Sequence, residues 1–378
     1  MSTSLRSTAL EPRPDDFRGT GLARVRHVTR RWLPVYGLVV LTIALFVFFS
    51  LLLPDTFPTY LNFKLIANGK AVLAILALAV TIPMAAGKID LSIGYGVGLW
   101  HILVLTLQIR YGVPWPLAVV IVLALGALVG VINGLLVELA QVDSFVATLG
   151  TATVLYAVSL WHTGGEQVVD RNGVIPQSFF DLQSWQLFGL PGPFVLVMVL
   201  TVVLWIALEY LPIGRYLYAI GANPRAAELS GIPRRKYVVG SLVASGTLTA
   251  LAGVLLAARL KVGQANAGLD FLLPALVAAF LGSTTIRPGR VNPWGTIVGI
   301  TLLAIGISGI QQLGSAFYIE PLFNGLTLVA AITIASWAGR RRATAVERHS
   351  AAAAEPSGPG SDGVADGDPR PQPVNNIQ

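Results

Sequence analysis

Apolar side chains in this chain gather into runs of about 20 residues that do not alternate with polar ones, and short polar stretches separate the runs. A helix needs about 20 such residues to cross ~30 Å of hydrocarbon at 1.5 Å per residue. A membrane barrel would show roughly ten-residue segments of alternating polarity instead. The pattern predicts spans at 33–53, 65–86, 92–109, 115–140, 144–162, 193–211, 237–259, 271–284, 295–313 and 321–338. The shortest, 271–284, reads either as an extended span or as a re-entrant segment. The expected fold class is all-α: a polytopic integral membrane protein with about ten transmembrane helices.

Between the runs lie three polar pieces. Residues 1–31 are basic, residues 163–192 make the longest loop between spans, and residues 340–378 are rich in Ala, Pro, Gly and Asp, a composition expected to stay disordered. The expected organisation is therefore a basic segment 1–31, a membrane domain 32–339 and a tail 340–378. The first apolar run follows a basic region about 30 residues long and is too long for a signal-peptide core, so it is expected to remain as an anchor.

Composition supports the membrane reading, with 54% hydrophobic and only 12% charged residues against roughly 25% charged in soluble domains. The net charge of +7 is informative through its placement. Arg24, Arg26, Arg30 and Arg31 precede the first span, and Arg340, Arg341 and Arg342 follow the last. Arg215, Arg225, Arg234, Arg235 and Lys236 crowd a central loop, and Arg287 and Arg290 sit in a later one. With ten spans and the N-terminus inside, all of these groups fall on the cytoplasmic side, as short Lys- and Arg-rich loops do. Residues 163–192 then face outward. There is no cysteine, so disulfides and thiolate metal sites are excluded.

Few residues carry candidate chemistry. Gly126, Gly130 and Gly134 recur every fourth residue, as do Gly94 and Gly98, and Gly295 and Gly299, a spacing that lets membrane helices approach closely. Between two spans stands Gly87-Lys88-Ile89-Asp90-Leu91-Ser92-Ile93-Gly94. Asp90 there reads equally as a helix cap and as a group on a polar path, and the two roles are compatible. Asn133 and Thr148 are polar residues in apolar spans, suited to hydrogen bonds between helices or to a path, and Phe145 opens its span either as a gate or as packing. His101 and His162 lack a second ligand at metal spacing. Gly87-Lys88 is not a phosphate loop, because Ile82 and Ile89 stand where that motif needs Gly and Ser or Thr. No nucleophile elbow is present, so no enzymatic activity and no cofactor bound by this chain are expected. If ATP drives the protein, a separate subunit hydrolyses it.

The central loop, 212–236, is punctuated by Pro224 and Pro233, and Ala226-Ala227-Glu228-Leu229 between them suits a short helix. So short a helix is marginal alone in water and gains stability by docking on a partner. A weak internal echo pairs Ile89-Asp90-Leu91 with Leu269-Asp270-Phe271, placed at opposite membrane faces by the ten-span topology; inverted repeats of this kind occur in transporters.

These residues resemble the ribose/xylose-type monosaccharide permease subunits of bacterial ATP-binding cassette (ABC) importers, over about residues 57–338. The resemblance is carried by Gly87–Gly94, by Asn133-Gly134, by Phe145-Val146-Ala147-Thr148-Leu149-Gly150, and by the run from Gly214-Arg215 through Gly221-Ala222-Asn223 to Ala226-Ala227 and Ser230-Gly231. Two departures are Lys88, where the family usually has Gly, and Ser144, where a Pro commonly precedes the Phe. The resemblance implies the ABC importer permease fold, in the bacterial inner membrane. Its expected partners are an ATPase subunit, an extracytoplasmic sugar-binding protein, and a second permease copy or sister permease. It also implies a coupling element at Gly214, Arg215, Gly221, Asn223, Ala226, Ala227, Ser230 and Gly231, and a substrate path at Asp90, Ser92, Asn133, Phe145 and Thr148. The competing classes are an ion-coupled secondary carrier and a non-transport membrane scaffold or receptor component.

Overall fold

The computed structural model describes residues 21–314, 318–327, 329, 330 and 333, with side chains from residue 36 onward. The expected tail 340–378, most of the N-terminal segment 1–31 and part of the expected span 321–338 lie outside the described residues.

Thirteen helices between Gly21 and Gln312 follow the apolar runs closely. They are α1 (Gly21–Leu52), α2 (Tyr60–Gly69), α3 (Ala71–Ala85), α4 (Ser92–Tyr111), α5 (Trp115–Glu138), α6 (Ser144–Thr163), α7 (Gln177–Ser184), α8 (Gly192–Glu209), α9 (Pro212–Ala222), α10 (Pro224–Leu229), α11 (Arg234–Leu260), α12 (Leu269–Gly282) and α13 (Pro293–Gln312). The polar punctuation sets their ends. Asn292 caps α13 by accepting the Gly295 N–H at 2.7 Å, with Pro293 in the first turn. Gly112 and Gly164 close α4 and α6 in the left-handed conformation, which glycine adopts without steric cost.

Among the described residues, seven helices are long and apolar enough to cross a bilayer, or eight if one bent pair counts as a single span. That pair is α2 and α3. The expected span 65–86 is two helices meeting at 47°, with Lys70 between them. The bend lets α3 run through the centre of the molecule, where it is buried all round, from Ala71 to Pro83 and again at Ala85, as expected of a helix apolar on every face. The expected span 271–284 begins earlier than its apolar run, because a 3₁₀ turn, Ala265–Gly268, leads directly into α12.

The predicted glycine ladders are where backbones meet. A Cβ on Gly130 would lie 2.4 Å from the Leu242 carbonyl oxygen, and one on Gly126 would lie 2.6 Å from that of Gly246. α5 and α11 therefore pack main chain against main chain, gaining dispersion contact that larger residues would block. Gly94 and Gly98 receive Leu272 and Gly268 in the same way. Gly268 and Leu272, which flank Asp270, thus pack against the first two turns of α4, the helix that follows Asp90.

The segment 163–192 holds α7 and three two-residue strands, β1 (Val168–Val169), β2 (Gln186–Leu187) and β3 (Leu190–Pro191). β1 pairs antiparallel with β4 (Val262–Gly263), which ties this segment to the link between α11 and α12. β2 and β3 form a hairpin.

Candidate functional site

The segment 86–91 between α3 and α4 is sunk into the bundle. Asp90 is 1% exposed. It meets Ser245, eleven residues or roughly 16 Å along α11, and is level with Asn133, five residues before the end of α5. A carboxylate at that depth needs donors, and it has three. Oδ1 accepts the Ser92 backbone N–H at 3.0 Å and the Ser92 hydroxyl at 2.6 Å, and Oδ2 accepts the Ser245 hydroxyl at 2.7 Å. Asp90 thus meets the first N–H of α4 from one residue before the cap position, Leu91, as part of a wider network. Asn133 Nδ2 donates to Ser92 Oγ at 3.0 Å. Its Oδ1 is buried without a hydrogen-bond partner.

The first turns of α6 complete the cluster. The Ile89 N–H donates to Ser144 Oγ at 3.2 Å, and the Leu91 N–H donates to Thr148 Oγ1 at 3.0 Å. Two backbone donors of a segment with no helical ladder of its own are thereby satisfied by side chains. Ser144, a departure from the family pattern, supplies a bond that proline could not.

Four of the five expected path residues, Asp90, Ser92, Asn133 and Thr148, therefore share one buried network spanning α4, α5, α6 and α11. Phe145 stands apart from it, half exposed at the start of α6. Ser245 was not singled out from the sequence. Its signal is the spacing Ser241, Ser245, Thr249, a buried polar stripe with period four on α11. His101 is engaged structurally, its Nε2 accepting the Gln264 N–H at 2.9 Å. No cluster of three or more metal-ligating side chains occurs among the described residues. An apolar cleft of about 350 Å³ between α1, α2, α3, α8 and α13 is lined by Phe57, Phe63, Ala74, Phe194 and Ile305 among others, and lies away from the network.

The central loop is more ordered than its sequence implied. α9 is an amphipathic helix with Gly214, Leu217 and Ile220 buried. The expected short helix, α10, follows at once. Asn223 caps it by accepting the Ala226 N–H at 3.0 Å, Ser230 Oγ donates to the Ala226 carbonyl, and Gly231, at φ +79°, ends it. Ala227 is buried in an apolar cluster that also includes Ile82, Ala85 and Val137, while Ala226, Leu229 and Arg225 face outward, as Arg215 does on α9. Gly221 lies against the backbone of Ala85–Gly87, where an added Cβ would sit 2.4 Å from the Ala85 carbonyl oxygen. The central loop thus touches the start of the segment that carries Asp90.

A second loop, 283–292, braces this surface. Arg290 stacks on the Tyr218 ring at 3.5 Å, the Tyr218 hydroxyl donates to the Val291 carbonyl at 2.8 Å, and Arg287 pairs with Glu209. Burial pushes the Tyr218 phenol up against the opposing pull of the Arg290 cation, which keeps it a neutral donor.

Residues 63–336 match the model of a family described as branched-chain amino acid transport system / permease component. The ribose import permease protein RbsC of Haemophilus influenzae is 29% identical over 293 residues, 78% of this chain and 90% of that protein. The autoinducer 2 import system permease protein LsrD of Escherichia coli K12 is 31% identical over 262 residues, 69% of this chain and 79% of that protein. No solved structure matches the chain significantly. The glycine-packed bundle, the buried polar segment and the surface loop resting on it therefore belong to a multi-pass bacterial inner-membrane protein, a member of this family of ABC importer permease components.

Proposed function

We propose that the chain forms the pathway for ATP-driven uptake of a monosaccharide of the ribose or xylose kind, delivered from outside by a binding protein. Ten spans place both termini and the loop 212–236 inside, and residues 163–192 outside. An ATPase subunit docks on α9 and α10 and hydrolyses the ATP, and this chain catalyses no covalent step. A second permease copy or a sister permease completes the pathway.

The observation that carries this reading is the contact of Gly221 with Ala85–Gly87. A surface element exposing Ala226 and Leu229 rests directly on the segment bearing Asp90, so displacing one displaces the other. The network is closed to solvent, so solute passes only when the helices part. A partner that binds one conformation better than the other drives that exchange.

The substrate class is supported by the chemistry around Asp90. Ser92, Asn133, Thr148 and Ser245 present hydroxyl and amide groups, which suit a neutral polyhydroxylated solute. The relatives named for ribose and autoinducer 2 point the same way.

The coupling reading is tested at Ala226. Ala226→Asp adds a charge to the exposed face of α10 and leaves the buried Ala227 contact intact. Co-purification of the ATPase is expected to fall at least about tenfold while membrane insertion and expression stay normal; one unfavourable charge at an interface costs enough for this. Normal co-purification would remove α10 as the docking element.

A further inference from the structure

Glu138 ends α5 with its side chain 1% exposed. Its Oε2 accepts from Arg234 Nε, at the first residue of α11, at 2.8 Å, while Oε1 is buried without a hydrogen-bond partner. The same Nε lies 3.3 Å from Glu228 Oε1 on α10, whose carboxylate also reaches Arg225 at 3.6 Å. One guanidinium is thus shared between a buried carboxylate on the bundle and a part-exposed carboxylate on α10. Five residues before Glu138, on the same helix, Asn133 holds Ser92 beside Asp90.

This arrangement is poorly explained as a stability device. Replacing a buried ion pair by apolar residues is often neutral or stabilising, and a half-satisfied carboxylate is the costlier form. It is well suited to a switch. A guanidinium can take both oxygens of one carboxylate in a fork, and the free Oε1 of Glu138 is the acceptor that such a fork would use.

We propose that Arg234 is a latch with two positions. In one it bridges Glu138 and Glu228 and holds α10 against the end of α5. In the other α10 is drawn away, Glu228 is released, and the guanidinium turns to take both oxygens of Glu138. Arg234, Glu138 and Glu228 are then positioning residues that carry a movement of α10 into α5 and so to Asn133 and Asp90. The proposal rests on the reading of α10 as the docking element for an ATPase.

The chain has no cysteine, so spin labels can be placed without background. Leu139→Cys and Leu229→Cys, 57% and 77% exposed, report the distance between α5 and α10 in the permease–ATPase complex in lipid nanodiscs; because Leu229 lies on the docking face, distances are read only from labelled chains that co-purify the ATPase as the unlabelled chain does. In the otherwise unaltered chain this distance is expected to change on adding ATP. With Glu138→Gln, uptake per ATP hydrolysed is expected to fall about tenfold, a size typical of lost coupling, and the distances to broaden, with ATPase co-purification retained. Arg234→Lys, a cation that cannot fork, is expected to restore neither fully. Arg234→Gln strands Glu138 and is expected to fold poorly. Glu228→Gln, at the part-exposed end, therefore serves as the second variant, with the same loss expected. Unchanged distances and unchanged uptake per ATP in both Glu138→Gln and Glu228→Gln overturn the latch. An ATPase that fails to co-purify with the unaltered chain overturns the docking reading, and the latch loses its role with it.

Discussion

Asp90→Ala is expected to lower uptake about a hundredfold and to lower the thermal unfolding midpoint of the purified permease. The carboxylate takes three donors at a site 1% exposed. Once it is gone, the Ser245 hydroxyl can turn to a carbonyl of its own helix, but Ser92, the first residue of α4, has no preceding turn to receive its N–H. A buried donor left unpaired costs about 1–3 kcal/mol. About 2.8 kcal/mol, two tenfold steps, suffices for the hundredfold effect. Asp90→Asn keeps an acceptor oxygen but turns an NH₂ toward a donor hydroxyl, so an intermediate loss is expected. Uptake into vesicles and thermal unfolding in detergent measure the two effects. An Asp90→Ala permease with normal uptake and an unshifted midpoint would show that the network neither positions the helices nor lines the path.

Gly221→Leu is expected to uncouple transport while sparing assembly. The obstacle at position 221 is backbone: an added Cβ lies 2.4 Å from the Ala85 carbonyl oxygen and 3.1 Å from the Gly87 nitrogen. Main chain cannot turn aside as a flexible side chain can, so α9 must lift from the end of α3. The exposed side chains of α9 and α10 keep their identity, so the ATPase is expected still to dock, which co-purification checks. ATP hydrolysis is then expected to persist while uptake per ATP falls at least about tenfold. Gly240→Ala is the matched control, because a Cβ there meets nothing within 4 Å. Normal coupling in Gly221→Leu, or an equal loss in Gly240→Ala, would detach this contact from transmission.

The spanning helices were legible because their signal is local. The expected 92–109, 144–162 and 295–313 became α4, α5's neighbour α6, and α13 with ends shifted by at most two residues. Turn glycines and capping residues set those boundaries and are visible in the chain itself. The bend at Lys70 does leave a local trace, Asn68-Gly69-Lys70, which an expected span drawn over 65–86 passes through. The pairing of β1 with β4 joins Val168 to Gly263 across a long stretch of chain and leaves no local trace. α9 was missed although its buried Gly214, Leu217 and Ile220 repeat at helical spacing, because Pro212, Gly214, Arg215 and Gly221 read as loop.

The site divides in the same way. Asp90, Ser92, Asn133 and Thr148 stood out separately as polar residues in apolar surroundings, and the structure brings them together. Ser245 was hidden because an isolated serine in a span ordinarily bonds to its own helix. Glu138 and Arg234 lie at the ends of spans, where charge is ordinary, and only their meeting makes them notable.

The central claim, that this permease works with an ATPase rather than alone, is tested most directly by uptake into proteoliposomes holding the chain and its candidate ATPase, with the binding protein and labelled pentose outside and ATP enclosed. The account predicts uptake that requires enclosed ATP, the ATPase and the binding protein, and that survives collapse of every ion gradient. Uptake that continues without the ATPase and stops when an ion gradient is collapsed would contradict it.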